Sequence, residues 1–402
     1  MRVGILAAGF QDWAGGVDFL RMVISSLHHA NVGCEFHLLV PSKGPRLALW
    51  RVARGAYRAT TAAIGRPVPT TTGTARGYVN DLCTNAESTI TIHEIDIGIS
   101  SIAKAARTLA LDALLPSIKS LPTDFPTPWV GYIFDFQHRY LAQLFTPEEA
   151  FRRNFLLAKM LRNARSVIVN SRSVASDIAK FHEDARARVF VLPFSAAPQA
   201  AWLRPTAPIA SRYGIPQRYF IVCNQFWKHK DHGAAFVAFA RIAALHPDID
   251  MVCTGATEDY RDPHYVPALR AMLVRQGIDR RVHVLGMVPK SDQIGLLKES
   301  IALVQPTLFE GGPGGGAVYD AVALGVPCLV SDIAVNRELN EPMVSFFPAG
   351  DAVALAGLMS DAIRRPTLRD SDPKLLWVSG SSRRSMCGNQ ILAAIDYAAG
   401  QR

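Results

Sequence analysis

The feature that most constrains this chain is an alternation, run through twice, of short apolar runs with amphipathic stretches of helical period. In the first series, Arg2–Ala8, Cys34–Val40, Thr89–Ile95, Trp129–Phe134, Ser166–Asn170 and Val189–Leu192 predict strands. Val17–Ala30, Ser101–Ser117, Pro147–Ala164 and Ser173–Phe181 predict helices. Thr146, Pro147 and Glu149 mark one helix start, as N-cap, first helical residue and capping-box acid. The stretch 194–208 has three prolines and no period, and predicts a linker. Strands are then expected at Tyr219–Cys223, Asp250–Thr254, Val282–Leu285, Ile301–Gln305 and Pro327–Val330. Gly233–Leu245, Tyr265–Gln276, Ser291–Ser300 and Ala317–Leu324 are the helices between them. Strand and helix in alternation make a mostly parallel sheet wrapped by helices. The expected class is therefore α/β, with two Rossmann-like doubly wound domains at 1–205 and 206–375, and a helix at 376–402 returning to the first. Such domains in tandem are expected to face each other across a cleft, where open α/β sheets bind ligands.

Composition narrows the class further. At 402 residues, 49% apolar and 19% charged, the chain has ample material for two cores and is not expected to be disordered. Its six cysteines lie far apart without CxxC or Cys/His ligand spacing, which points to buried thiols in a reducing compartment and not to zinc. Met1–Gly9 is too short an apolar run for a secretion signal, and nowhere do 18 uncharged apolar residues run together. The expectation is a cytoplasmic protein whose membrane contact, if any, is peripheral. Of the net charge of +9, residues 1–200 carry +7, and the 45 residues between Glu35 and Asp81 hold seven basic groups and no acid. That asymmetry implies an anionic partner surface.

Two stretches of the second half carry chemistry. A strand ending at Gln305 runs through Glu310 into Gly311-Gly312-Pro313-Gly314-Gly315-Gly316 and then a helix. Glycines before a helix let backbone N–H groups approach an anion, and the helix N-terminus adds about half a positive charge. The stretch is neither a Walker loop nor a GxGxxG, and by itself could be only a tight turn. Upstream, Asn224-Gln225-Phe226-Trp227-Lys228-His229-Lys230 follows the first strand of the same domain and places two lysines at a strand's carboxyl end. Lysines and a helix N-terminus at the mouth of one sheet suit a diphosphate; a solvated charged loop is the plain alternative.

These residues, with Asp320 and Ala321-Val322-Ala323-Leu324-Gly325-Val326-Pro327 after them, resemble the nucleotide-sugar domain of GT-B glycosyltransferases, and within them retaining glycosyltransferase family 4. The Asn224–His232 run resembles a bacterial polysaccharide-building subgroup. The resemblance is looser over the first half, at Gly15-Gly16, Phe134–His138, Val167–Ser171 and Val191–Phe194. The family usually has seven residues between its two acids, whereas Glu310 and Asp320 have nine. The resemblance implies that Lys230, helped by Lys228 or Gln225 beside Asn224, neutralises the departing diphosphate. Gly312, Gly314, Gly315 and Gly316 would bind that diphosphate and sugar hydroxyls, Glu310 would sit at the donor sugar, and Asp320 would hold the ribose. Gly286, Met287 and Val288 would take the base through backbone atoms. From the first, acceptor-binding domain, Gly15 and Gly16 would approach the donor and His138 would reach the sugar or acceptor. Helix capping is the other reading of the two acids, a structural role that of His138, and Asp135 is a base or an N-cap. No cofactor and no metal are implied, since lysines and a helix dipole supply what a divalent ion otherwise would.

The expected function is transfer of a hexose-type sugar from a nucleoside-diphosphate sugar to a saccharide acceptor, with retention, in cell-surface polysaccharide synthesis. The basic stretch Pro45–Arg66, if helical, would set Trp50, Ala53, Tyr57 and Ile64 beside Arg51, Arg54 and Arg58, which suits an anionic membrane and a lipid-linked acceptor; an ordinary surface helix is the alternative. Two other readings compete. A GT-B nucleotide-sugar epimerase or hydrolase would share the donor site without needing a membrane. A nucleic-acid-binding protein could use the basic half, but the aromatic-interleaved motifs of such modules are absent, so no nucleic-acid partner is expected.

Overall fold

The computed structural model describes residues 1–10, 14–30, 33–42, 90–259, 261–364 and 372–400. The basic stretch Pro45–Arg66 lies outside them. The chain divides into two compact units, Met1–Ser195 with Ser381–Arg402, and Ala196–Gly380.

The first unit is built on seven parallel strands: β1 (Arg2–Leu6), β2 (Glu35–Pro41), β3 (Ile90–Ile95), β4 (Ala113–Ser117), β5 (Trp129–Ile133), β6 (Ser166–Val169) and β7 (Arg188–Val191). They lie in the order β3-β2-β1-β4-β5-β6-β7. Parallel strands covered on both faces read as continuous apolar runs, and β4, β5 and β6 are buried throughout. The covering helices are α1 (Ala14–His29), α2 (Ile99–Thr108), α3 (Gln137–Tyr140), α4 (Pro147–Asn163) and α5 (Arg172–Phe181). The capping box at the start of α4 forms, with Glu149 N–H donating to Thr146 Oγ1 at 3.2 Å and Thr146 N–H to Glu149 Oε2 at 3.0 Å.

The helix expected over Ser101–Ser117 is corrected. α2 ends at Thr108, Ala110 turns the chain at φ 48°, and residues from Ala113 on form the central strand β4. Ala and Leu favour helix, but Pro116 cannot sit inside one, and two-sided burial between β1 and β5 decides for strand.

The second unit has six parallel strands, β8 (Tyr219–Cys223), β9 (Asp250–Thr254), β10 (Val282–Gly286), β11 (Leu303–Gln305), β12 (Cys328–Ser331) and β13 (Val344–Phe347). Their order is β10-β9-β8-β11-β12-β13. Its helices are α6 (His232–Ala243), α7 (Tyr265–Arg275), α8 (Lys290–Glu299), α9 (Gly315–Ala323) and α10 (Ala352–Arg364). Phe220, Phe236, Phe239, Met251, Val304 and Leu355 are fully buried in one core of this unit.

The last helix, α11 (Pro373–Ala399), places Cys387, Ile391, Ala394 and Ile395 in the core beneath β1, β2 and α1. Contact with α1 is close at Gly388, where a Cβ would stand 2.0 Å from the Ser26 carbonyl oxygen. Among the described residues no helix is long and apolar enough to cross a membrane.

Candidate functional site

The strand order of the second unit reverses between β8 and β11, so the chain leaves these neighbours on opposite sides and opens a crevice at their carboxyl ends. Asn224, directly after β8, donates from Nδ2 to Oε1 of Gln305, the last residue of β11, at 2.8 Å. Gln305 Nε2 in turn donates to Glu310 Oε1 at 3.1 Å. The Lys230 ammonium pairs with that same carboxylate oxygen, and the two side chains are only 12% and 11% exposed. Asn224 and Lys230 on one side and Glu310 on the other, eighty residues beyond Lys230 in sequence, thus form one bonded chain through Gln305 across the switch point.

Lys230 is brought there by a tight turn. Residues 228–230 form one turn of 3-10 helix, and Asp231 then takes φ 46°, a conformation Asp tolerates, while its carboxylate caps α6 at Ala234 N. The turn is tied to the β11 side, since the His229 carbonyl accepts from Leu308 N–H at 2.8 Å and Thr307 Oγ1 at 3.2 Å. It is tied to the β9 side through Asp259, which accepts from Lys228 N–H at 2.9 Å and holds the Arg261 guanidinium at 3.3 Å. Burial, then the charges of Lys230 and Arg261, push the His229 imidazole down to about 2, so it stays neutral beneath the lysine.

Opposite the turn stand the glycines. Gly314 and Gly315 have φ 71° and 65°, which other residues resist. A Cβ on Gly315 would lie 3.0 Å from the Glu310 carboxylate, whereas Gly316 faces open space. Gly314 N–H is already spent on Asn336 Oδ1 at 2.7 Å, and Asn336 is anchored to Ser331 O at 2.9 Å. The donors left for an anion are those of the first turn of α9, at Gly316 and Ala317, whose N–H groups precede the first intrahelical bond.

Asp320 lies one turn further along α9 and bonds Lys290 Nζ, at the start of α8, at 2.5 Å. Burial pushes the Cys223 thiol at the end of β8 up to about 12. Gly286 (φ 69°) ends β10, and its carbonyl accepts from Gly255 N–H at 2.9 Å. Met287 is 61% exposed, and the chain continues through Val288 to Lys290.

Lys228 is not brought to Glu310, because its ammonium pairs with Asp262 at 3.1 Å near the surface. Gln225 offers its carbonyl to Trp227 N–H at 2.7 Å. In the first unit, Gly15 and Gly16 open α1, and His138 lies in α3, buried, with Nε2 on Asn154 Oδ1 at 2.7 Å. That amide oxygen only accepts, so Nε2 carries the proton and Nδ1, which has no partner among the described residues, is left as an acceptor. Burial first lowers this imidazole's pKa, against the pull of Asn154. Asp135 caps Gln137 N–H at 2.9 Å. Sequence reasoning missed Gln305, Asn336 and Lys290; a buried amide closing an otherwise apolar strand was the signal for Gln305.

Comparison with known proteins bears on this geometry. Residues 209–371 match the family model of glycosyl transferases group 1. No curated protein matches the chain in sequence. Among solved structures, the Anabaena HepE protein in complex with UDP-glucose is similar at TM-score 0.64 and 13% identity, over 98% of each chain. Sucrose-phosphate synthase from Thermosynechococcus elongatus is similar at TM-score 0.61 and 12% identity, over 98% of this chain and 96% of that one. WaaG, a glycosyltransferase involved in lipopolysaccharide biosynthesis, gives 0.53 and 11% over 98% of each. At these identities the likeness shows the fold, two Rossmann-like units as in GT-B glycosyltransferases.

Proposed function

We propose that the protein is a retaining glycosyltransferase of the family 4 type, moving a hexose-type sugar from a nucleoside-diphosphate sugar to a saccharide acceptor. The observation that carries this reading is the convergence of the Lys230 ammonium and the α9 N-terminus on Glu310 at the β8/β11 switch point. Charge builds on the leaving diphosphate as the glycosidic bond breaks, and a cation and helix dipole fixed in advance stabilise it. Lys230 would exchange part of its bond to Glu310 for a diphosphate oxygen, freeing Glu310 to meet the sugar. Asp320 would meet the ribose, and the Gly286–Val288 backbone the base. Gly15, Gly16 and His138 take the roles toward donor and acceptor that the resemblance gives them. Retention comes from the family resemblance; the acceptor oxygen would attack on the face the diphosphate leaves, and the departing diphosphate oxygen would take its proton. No metal is needed on this reading, so turnover should survive EDTA.

A lipid-linked acceptor in surface-polysaccharide synthesis, with the protein held peripherally at the cytoplasmic membrane face, is the biological setting proposed. It is supported by the basic first half and by the fold shared with a lipopolysaccharide-building enzyme. The test is a thermal-shift panel of nucleoside diphosphates and nucleotide sugars, in which a ligand at 100 times its Kd stabilises by about 2.7 kcal/mol. Product analysis with and without acceptor follows: free sugar or an epimerised donor, equally abundant in both, would replace transfer by hydrolysis or epimerisation. No shift with any nucleotide would overturn the donor site itself.

A further inference from the structure

Helix α4 turns an unusual face outward. Of its residues only Met160 and Leu161 are buried, while Phe151 is 73%, Phe155 54% and Leu156 48% exposed. At 3.6 residues per turn these three, with exposed Arg152 and Lys159, fall within about 140° of arc on one side of the helix. Arg152 and Lys159 have no ion-pair partner among the described residues. Of the two acids of α4, Glu149 is committed to the capping box, while exposed Glu148 falls on this same arc, where Arg152 and Lys159 outnumber it and leave the face cationic. Two phenylalanines and a leucine held in water, interleaved with free cations, are what an interfacial helix presents to a bilayer: apolar side chains for the acyl boundary and cations for the headgroups. A second copy of this face would be a poor occupant, because a two-fold contact would set Arg152 and Lys159 against their own kind with only Glu148 to answer them.

We propose that this face of α4, carried by Phe151, Phe155 and Leu156 with Arg152 and Lys159 among them, docks the protein on an anionic lipid surface. The proposal rests on the membrane association proposed above and gives it a place in the first unit, apart from the Arg46–Arg66 run. It is tested with the full chain and vesicles of phosphatidylcholine alone or with phosphatidylglycerol, at low and high salt. The expected result is co-sedimentation with anionic vesicles, weakened by salt. Phe151→Ser with Phe155→Ser, and separately Arg152→Ser with Lys159→Ser, should each lower partitioning by about tenfold or more. Because these side chains are on the surface, melting temperature and the nucleoside-diphosphate shift should not change. Wild-type protein that ignores anionic vesicles overturns membrane association altogether. Variants that bind as wild type overturn the assignment to α4 alone and return the contact to the basic run. A concentration-dependent dimer lost in the phenylalanine variant would show that a second copy covers the face instead. None of these outcomes touches the donor site, which the nucleotide shift judges in the same samples.

Discussion

At the residue scale the site is a charge balance. Lys230 and Glu310 balance each other's charge at the switch point, so on the proposed reading a diphosphate would be attracted by the excess from the α9 N-terminus and would share Lys230 with a carboxylate. Glu310→Gln removes the competing charge. It should therefore tighten nucleoside-diphosphate binding by roughly tenfold, about 1.4 kcal/mol, while turnover falls by orders of magnitude. Calorimetry and product assay on one preparation decide it; weaker binding with normal turnover per folded molecule would make Glu310 a structural acid. Lys230→Ala should lose about 2–4 kcal/mol of transition-state stabilisation and also lower the melting temperature, since a carboxylate only 11% exposed is left unpaired. Adding Glu310→Gln to Lys230→Ala should restore stability and leave activity absent. Recovered turnover in that double variant would remove both residues from the chemistry.

At the scale of elements, what a sequence shows depends on whether neighbours or distance decide a segment. Strands such as Tyr219–Cys223 and Val167–Val169 announce themselves by unbroken apolar runs, and the Thr146–Glu149 cap by its own four residues. Residues 113–117 could not be read this way, because Ala and Leu there favour helix and only burial between β1 and β5 makes them a strand. The four-residue edge strand β13 and the helix α10 after it were also not read from the sequence. Within the site, the glycine turn and the lysine turn were legible as motifs. Their junction was not, since Asn224–Gln305–Glu310 is a tertiary bond chain, and nothing in the spacing of Lys228 and Lys230 told that one would turn to Asp262 and the other to Glu310. The turn into α9 gives a prediction at this scale. Gly315→Ala must adopt φ 65° and set its methyl against the Glu310 carboxylate at 3.0 Å, at a cost of about 1–2 kcal/mol. Gly316→Ala, in open space at the same helix start, should melt within a degree or two of wild type; equal losses from both would mean that the turn is not built around Glu310.

For the whole molecule, five histidines distributed over both units couple stability to acid. His37, His138 and His182 in the first unit, and His229 and His232 in the second, all have pKa values lowered chiefly by burial, the last two to about 2 and about 3. Below a pH of about 6.5 the unfolded chain takes up protons that the folded chain refuses, so stability must fall as pH falls. From pH 7 to pH 5 the two strongly depressed groups alone should lose about 2 kcal/mol each. Asp177 and Asp231 have carboxyl pKa values raised chiefly by burial and act in the opposite sense, gaining stability as the pH falls through those raised values, so a variant at His232 isolates the histidine contribution. Urea unfolding at pH 7 and pH 5, followed by tryptophan fluorescence, measures the effect; with two units the transition is read unit by unit. His232 is stacked on Phe226 with ring centroids 4.0 Å apart and is wholly buried, so His232→Phe keeps the aromatic filling and cannot charge. That variant should lose about 2 kcal/mol less than wild type over the same interval. An unchanged pH dependence would mean that the native state admits a charged imidazole beside Lys230, and with it enough water that the Lys230–Glu310 pair could no longer act as a dry, preorganised anion site.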